Sequence, residues 1–211
     1  MNMSSPKTKV IILFVEGYTE VDFYKALITD IRALHGEEFC CNIEYKNMKG
    51  VGNYKNDALR RLGDVKRKYP ESDIYAFLCY DTDAFRFSRK PPVDMKEVRK
   101  QLLANGAKKV DLIEANKSIE DWFLYDFDGV KKYLRLSERT PKESGTGQDV
   151  IKKLFKKAKR VYVKGDKLDG FIEKLNIPLI RVQVCSNLRP LCKCLGLDCK
   201  KICNKQSSSR Q

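Results

Sequence analysis

The pattern of apolar and polar residues predicts two strands that are buried on both faces. The first is the uninterrupted apolar run 10–15, and the second is the run 74–80. Continuous runs of this kind are typical of inner strands in a parallel sheet. Both runs end at acidic residues: Glu16 follows the first, and Asp81 and Asp83 follow the second.

Helical patterns between the strands indicate an α/β fold. An apolar face at helical spacing begins at Thr19, and Thr19 with Asp22 predicts a capping box at its start. A candidate second strand over 42–48 precedes a basic helix over 54–68, and a helix over 94–103 precedes a short candidate strand over 110–114. We therefore expect a Rossmann-like domain with a mostly parallel central sheet flanked by helices.

The acidic residues at the strand ends predict a metal site. Residues two apart in an extended segment point to the same side, so Asp81 and Asp83 can face one site, and Glu16 joins them if the two strands are parallel neighbours. Carboxylates placed together repel one another, and a hard divalent cation such as Mg²⁺, or Mn²⁺, relieves that repulsion. Glu20, one helical turn beyond Glu16, is either a further ligand, a residue that supports the ligands, or a partner of the helix dipole.

The charge balance favours a polyanionic partner. The chain has 211 residues and a formal net charge of +14, for which nucleic acid is the first candidate. The alternative is a generally basic surface without a ligand. Two segments carry the candidate contacts, an aromatic and basic stretch at 85–92 and an amphipathic helix from 149 onward; the residues are Arg86, Arg89, Lys152, Lys153, Lys156, Lys157, Lys159 and Arg160. Both segments also have a plainer interpretation, as a loop anchored by phenylalanines and as a solvated helix face.

The acidic motifs resemble those of a known family. The segment Val15–Glu20 followed later by Asp81-Thr82-Asp83 resembles the Toprim domain, in particular that of small RloB-like and OLD-type nucleases. Asn116–Trp122 is similar to the RloB-like segment Asn-Pro-x-Phe-Glu-x-Trp, with Lys117 in place of the proline. Tyr162-Val163-Lys164 is similar to a Tyr-x-Lys element of the same nucleases. The resemblance covers about the first two thirds of the chain.

The resemblance implies an Mg²⁺-dependent nuclease acting on DNA or RNA. It makes Glu16, Asp81 and Asp83 catalytic metal ligands, adds Glu120 as a ligand from the third motif, and gives Lys164 a role in neutralising phosphate charge. Without the resemblance, Glu120 and Asp121 would be read as acids at a helix N-terminus. The resemblance also implies an antiphage or mobile-element system with a regulatory ATPase encoded nearby, and a homodimer is a further expected assembly.

Three other functions compete with the nuclease hypothesis. A non-catalytic Toprim module that binds nucleic acid, similar to recombination mediators, is the main alternative. A phosphatase or nucleotide-binding domain would also place acids at strand ends, although the net charge argues against it. A topoisomerase or primase would need large additional domains for which the chain has no room.

The organisation of the rest of the chain is inferred from composition. We expect an α/β core over 1–135, a basic helical extension over 136–205 and a disordered end over 206–211. Neither a signal peptide nor a membrane span is recognisable, which indicates a cytoplasmic protein with mostly reduced cysteines.

The cysteines near the C-terminus allow two interpretations. A structural Zn²⁺ site would use Cys192, Cys194, Cys199 and Cys203, but their spacing is not that of a standard zinc ribbon. Cys192 also fits the apolar face of a helix, as a small hydrophobic residue, and this interpretation is preferred.

Overall fold

The centre of the fold is a four-stranded parallel sheet. A computed structural model describes residues 8–35, 41–86 and 91–197. Its strands are β1 (Lys9–Val15), β2 (Cys41–Asn47), β3 (Asp73–Asp81) and β4 (Lys109–Ala115), in the order β2-β1-β3-β4. All pairings in this sheet are parallel, which confirms the predicted α/β fold class.

The apolar run of β1 is explained by its position inside the sheet. Ile11, Leu13 and Val15 face one hydrophobic cluster, while the alternate residues face a second cluster on the opposite side. Every residue from Val10 to Val15 is fully buried. A strand covered by helices on both faces needs no polar positions, hence the absence of alternation in the sequence.

Helices cover both faces of the sheet. In the described ranges they are α1 (Tyr18–His35), α2 (Tyr54–Lys68), α3 (Asp83–Arg86), α4 (Met95–Ala104), α5 (Ile119–Phe123), α6 (Phe127–Leu134), α7 (Gly147–Lys157), α8 (Ile177–Gln183) and α9 (Cys185–Cys194), with 3-10 turns at Val51–Asn53, Leu124–Asp126 and Ile172–Lys174. Helices α2 and α4 pack on one face, and α1 packs on the other together with α5 to α9.

The segment predicted as a C-terminal extension contributes to the main core as far as residue 197. Leu154 of α7, Ile180 of α8 and Leu188 of α9 are fully buried in the cluster that also contains Leu13 of β1. The Lys9 ammonium donates to the carbonyl of Cys194 at 2.7 Å, which ties the first strand to the last described helix. Helices α7 to α9 are therefore built into the α/β core.

The capping box predicted at Thr19 is wrong. Helix α1 begins at Tyr18, so Thr19 lies inside its first turn. The Thr19 hydroxyl instead donates to the backbone carbonyl of Asp166, which is far away in the sequence. A tertiary hydrogen bond has taken the place of the local cap.

Two of the four candidate zinc ligands lie in the hydrophobic core. Cys192 and Cys194 are buried in the same cluster as Leu188 and Leu191, an environment suited to small apolar side chains. Cys199 and Cys203 lie outside the described residues. In the described part of the chain, no helix is long and apolar enough to cross a bilayer.

Candidate functional site

The two inner strands bring acidic side chains together at their carboxyl ends. Strands β1 and β3 are parallel neighbours, so Glu16, directly after β1, lies beside Asp81, the last residue of β3. The Asp81 backbone N–H donates to Glu16 Oε1 at 2.9 Å. Both side chains are buried. The two acids therefore lie side by side, as expected for the ends of neighbouring parallel strands.

Two further carboxylates are buried beside this pair. The Glu16 backbone N–H donates to Glu20 Oε2 at 2.6 Å, so Glu20 fixes the turn that carries Glu16. Glu120, in the first turn of α5, is 0% exposed and accepts a hydrogen bond from the Tyr162 hydroxyl at 2.6 Å through Oε1. Its Oε2 atom has no hydrogen-bond partner in the described structure. Buried oxygens in this state favour a cation close by.

Lys164 supplies positive charge to the cluster. Its Nζ lies 2.6 Å from Asp81 Oδ2 and 3.9 Å from Oδ2 of Asp83, which starts α3 at the rim of the site. The other oxygen of Asp81, Oδ1, accepts from the Ile119 backbone N–H at 2.8 Å. The predicted site residues Glu16, Glu20, Asp81, Asp83, Glu120 and Lys164 thus form one group.

A close approach of two glycines places Lys164 there. The Tyr18 backbone N–H donates to the Gly165 carbonyl at 3.0 Å, next to the Thr19–Asp166 bond. A Cβ atom on Gly17 would lie 2.5 Å from the Gly165 Cα, and Gly165 itself has a φ of +85°. Only glycine at both positions lets the turn after β1 receive the Lys164 loop this closely.

Burial and mutual repulsion shift the acidity of these groups. Burial raises the pKa of Glu20 well above 4.5, and the charges of Asp81 and Glu16 add to the effect. Burial also raises the pKa of Asp81, where Lys164 opposes the shift while Glu16 and Glu120 reinforce it. Burial also raises the pKa of Glu16. Burial lowers the pKa of Lys164, but the charges of Asp81, Glu120 and Glu16 outweigh it and give a net increase.

The raised pKa of Glu20 makes Glu20→Gln a stabilising substitution at high pH. The folded state holds the Glu20 proton more tightly than the unfolded state, so stability is full below an unfolded pKa near 4.5 and falls as pH rises toward the folded value. Glutamine keeps an oxygen for the Glu16 N–H and does not ionise. Melting temperatures in EDTA from pH 5 to pH 8 should show the variant gaining on wild type as pH rises.

The control for this prediction is an exposed glutamate. Glu97 lies on the outer face of α4, where it accepts a hydrogen bond from Gln101. The Glu97→Gln melting curve should run parallel to wild type over the same pH range. Parallel curves for Glu20→Gln would show that Glu20 carries no unfavourable charge in the fold.

The donor chemistry of the cluster fits Mg²⁺, although the described arrangement is not a finished metal cage. Carboxylate oxygens are the protein ligands that Mg²⁺ prefers, and the unpartnered Oε2 of Glu120 is such an oxygen. However, no three His, Cys, Asp or Glu side chains in the described ranges are grouped closely enough to hold a metal ion. Because Lys164 lies against Asp81, metal binding at this group requires the lysine or the carboxylates to shift.

Asp121, beside Glu120, has a structural role. Its Oδ2 accepts from the Ser118 backbone N–H at 3.2 Å, which forms the capping box of α5. Its Oδ1 accepts from the Gly147 N–H at 3.1 Å, and a Cβ on Gly147 would clash with the Asp121 backbone. This contact holds the N-terminus of α7 at the edge of the site.

A large open cavity lies over the acidic group. Its volume is about 1150 Å³. Glu16, Glu20, Asp83 and Lys164 are in its wall, and the other sides come from the turn after β2, the turn after β4 and the start of α7. The cavity is larger than a metal ion needs, so the acids lie at one wall of a space that can hold a substrate.

The structure places the predicted nucleic-acid contacts unevenly. Lys153 donates to the Ser144 carbonyl at 2.9 Å, Lys157 pairs with Glu143, and the Arg160 guanidinium lies 4.6 Å from the centre of the Tyr133 ring. A second set on the same helix and the turn after it is exposed and forms no ion pair in the described residues: Lys152, Lys156 and Lys159. The sequence pattern could not separate these two sets, since both occupy the polar face.

The aromatic and basic stretch at 85–92 is described only in part. Phe85 packs against Tyr80, with 5.1 Å between ring centres, so this phenylalanine anchors the segment to the core. The Arg86 side chain and Arg89 lie outside the described residues. Trp122, the last residue of the segment Asn116–Trp122, is buried and packs near Phe23.

Sequence reasoning missed the residues that hold the site together from a distance. The Tyr162 hydroxyl donates a hydrogen bond to Glu120. The backbone carbonyls of Gly165 and Asp166 accept hydrogen bonds from the first turn of α1. The glycine after Lys164 was the one available signal.

No family model matches the chain, and no curated protein or solved structure was found that resembles it.

Proposed function

We propose that the protein is a metal-dependent phosphodiester hydrolase with a Toprim-type site. The observation that carries the proposal is the convergence of Glu16, Asp81, Asp83 and Glu120 on Lys164 at the carboxyl edge of a parallel sheet. This edge is where open α/β folds bind their ligands. The adjoining cavity and the net charge of +14 suit a polyanionic substrate.

The chain's own residues divide the work in this proposal. Glu16, Asp81 and Asp83 would hold Mg²⁺ or Mn²⁺, with Glu120 adding its unpartnered oxygen. Held by these residues, such an ion would supply activation of a water molecule and stabilisation of charge on the phosphodiester oxygens. Glu20 holds the backbone of Glu16 in place, and Tyr162 orients Glu120. Lys164, once displaced from Asp81, can contact a phosphate oxygen.

A non-catalytic nucleic-acid-binding module is the second candidate. It is favoured by the Lys164–Asp81 ion pair, which provides a cation to the acids without a metal. A module of this kind would use the lysine as a permanent structural partner. Metal-dependent cutting separates the two candidates.

The decisive experiment is a cleavage assay on plasmid DNA, single-stranded DNA and tRNA. The full chain is tested with Mg²⁺, Mn²⁺ or EDTA, beside an Asp81→Ala/Asp83→Ala variant purified in the same way. Cutting is expected with either metal, and it should be absent in EDTA and in the variant. The variant excludes a contaminating nuclease, because such an enzyme would survive the substitutions.

The remaining outcomes decide between the candidates. Salt-sensitive binding of equal strength in both proteins, without cutting, would favour the binding module. If the protein neither binds nor cuts nucleic acid, nucleic acid is excluded as the substrate class. A regulatory ATPase, a homodimer and a cytoplasmic location are further parts of the same proposal.

A further inference from the structure

An exposed tyrosine stands at the wall of the cavity beside the acids. Tyr18, the first residue of α1, is two residues from Glu16 and is 49% exposed. Its backbone is fixed by the hydrogen bond to Gly165, so the ring is carried on a held segment. Large aromatic side chains normally gain stability by burial, but this one lines the cavity and leaves about half of its surface exposed.

Two lysines in strained backbone conformations line the same cavity. Lys49 has a φ of 55° and Lys117 a φ of 70°, in the left-handed region that side-chain-bearing residues rarely occupy. Both side chains are exposed, and neither belongs to an ion pair among the described residues. Strain of this kind persists only where surrounding contacts enforce it.

Hydrogen bonds enforce the conformation of both lysines. The Lys49 N–H donates to Asn47 Oδ1 at 2.7 Å, and the Asn53 amide donates to the Lys49 carbonyl at 2.9 Å. The Lys117 N–H donates to Thr82 Oγ1 at 2.9 Å, and its carbonyl accepts from the Asp83 N–H at 2.9 Å.

The sheet order places these lysines on either side of the acids. Lys49 follows β2 and Lys117 follows β4, the two outer strands, whereas Glu16 and Asp81 follow the inner strands β1 and β3. Along the carboxyl edge the order is therefore cation, acid, acid, cation. The turn with Lys49 is bonded to the acid beside it, since the Gly50 N–H donates to the Glu16 carbonyl at 2.8 Å.

We infer that this edge binds an unpaired strand of nucleic acid, with one base stacked on Tyr18 and with Lys49 and Lys117 on phosphates to either side of the acids. The inference rests on the proposed function and names its substrate class. Adjacent strands lie about 4.8 Å apart, so the outer strands are separated by roughly 14 Å. Phosphates of one strand in a duplex follow one another about every 3.4 Å along the helix axis, and an unpaired strand is more extended, so that distance spans more than one phosphate.

The stacking contact selects for unpaired nucleic acid. A base inside a duplex is stacked on its neighbours and does not present a free face to a protein side chain. A base in a single strand can turn onto Tyr18, and stacking of this kind tolerates any base. Duplex would then reach the lysines but not the tyrosine.

The test measures binding in EDTA, so that cutting does not interfere. Fluorescence anisotropy compares a labelled single-stranded oligonucleotide with the same sequence in a duplex, using the full chain. Wild type should prefer the single strand, and Tyr18→Ala should weaken that binding on the order of tenfold, with little effect on the duplex. Tyr18→Phe keeps the ring and should bind like wild type.

The control is Leu103→Ala. Leu103 is a large apolar side chain on α4 that is 41% exposed and does not line the cavity over the acids, so its loss should leave binding unchanged. For the lysines, Lys49→Gln/Lys117→Gln should reduce the salt dependence of binding by about two phosphate contacts. Lys96→Gln/Lys100→Gln, on exposed positions of α4, removes the same charge and should reduce it little.

Equal binding of single strand and duplex, or full binding by Tyr18→Ala, would overturn the inference. Its failure is distinct from failure of the proposed function. If cutting depends on metal but binding does not depend on Tyr18, the nuclease proposal stands and the single-strand site is wrong. If single strands bind through Tyr18 but no metal supports cutting, the single-strand site stands and the nuclease proposal is wrong.

Discussion

Asp81→Asn is expected to lower cleavage by at least about 100-fold while leaving the fold as stable as wild type or more so. Loss of residues that merely support a metal ligand costs about 10- to 100-fold, and a direct ligand should cost more. Asparagine has the same shape and can still accept the Ile119 N–H, but it cannot supply a charged oxygen. Single-turnover cleavage with Mg²⁺ measures the first effect, and thermal melting in EDTA measures the second.

The expected stability follows from the environment of Asp81. Burial raises its pKa, so its ionised form costs folding free energy that the neutral amide does not. Lys164 keeps access to Asp83 and to solvent, since 28% of its side chain is exposed. Asp94→Asn is the control: Asp94 caps α4 at an exposed position, and asparagine caps as well as aspartate. A large drop in the melting temperature of Asp81→Asn would mean that its charge holds the fold together.

Asp30→Ala is expected to cost about 3–5 kcal/mol of stability. Arg181 of α8 is 2% exposed, and its Nε lies 2.6 Å from Asp30 Oδ2 on α1. Its two Nη atoms have no hydrogen-bond partner in the described structure, so Asp30 is the main compensation for a buried charge. The loss is large against the roughly 5–15 kcal/mol that stabilises a typical domain. Urea unfolding followed by circular dichroism measures it.

A second substitution separates the stranded charge from general loss of packing. Asp30→Ala/Arg181→Met removes both charges and keeps an apolar side chain in the core, so most of the stability should return. Asp64→Ala breaks the exposed ion pair with Arg67 on α2 and should cost less than about 1 kcal/mol. A double variant no more stable than Asp30→Ala would show that the ion pair is not the source of the effect.

The local parts of the fold were predictable because they depend on short stretches of sequence. The apolar run before Glu16 has the length and β-branched content typical of a buried strand, and the bounds of α2 follow from its helical spacing. The meeting of Glu16 and Asp81 followed from one further assumption, that the two strands are neighbours. The strand order confirms this assumption, because β1 and β3 are neighbours in the sheet.

The contacts that complete the site were not predictable because they join distant residues. Thr19 looked like a cap, but the Asp166 carbonyl competes for its hydroxyl and lies 147 positions away. The hydrogen bond from Tyr162 to Glu120 and the glycine contact beside Lys164 have no local pattern. Similarly, the left-handed conformation of Lys49 and Lys117 depends on side chains of Asn47 and Thr82 in neighbouring turns. A lysine in the sequence does not by itself predict a left-handed backbone conformation.

The bond between Tyr18 and Gly165 sets when the site can exist during synthesis. The two residues are far apart in the sequence, and ribosomes add about 5–20 residues per second. At that rate Glu16 emerges roughly 7–30 seconds before Lys164, and Asp81 emerges roughly 4–17 seconds before it. Until then the nascent chain has neither the lysine nor helices α8 and α9, so the carboxylates are not yet buried as in the complete fold. The turn after β1 is therefore among the last parts of the protein to reach its final structure.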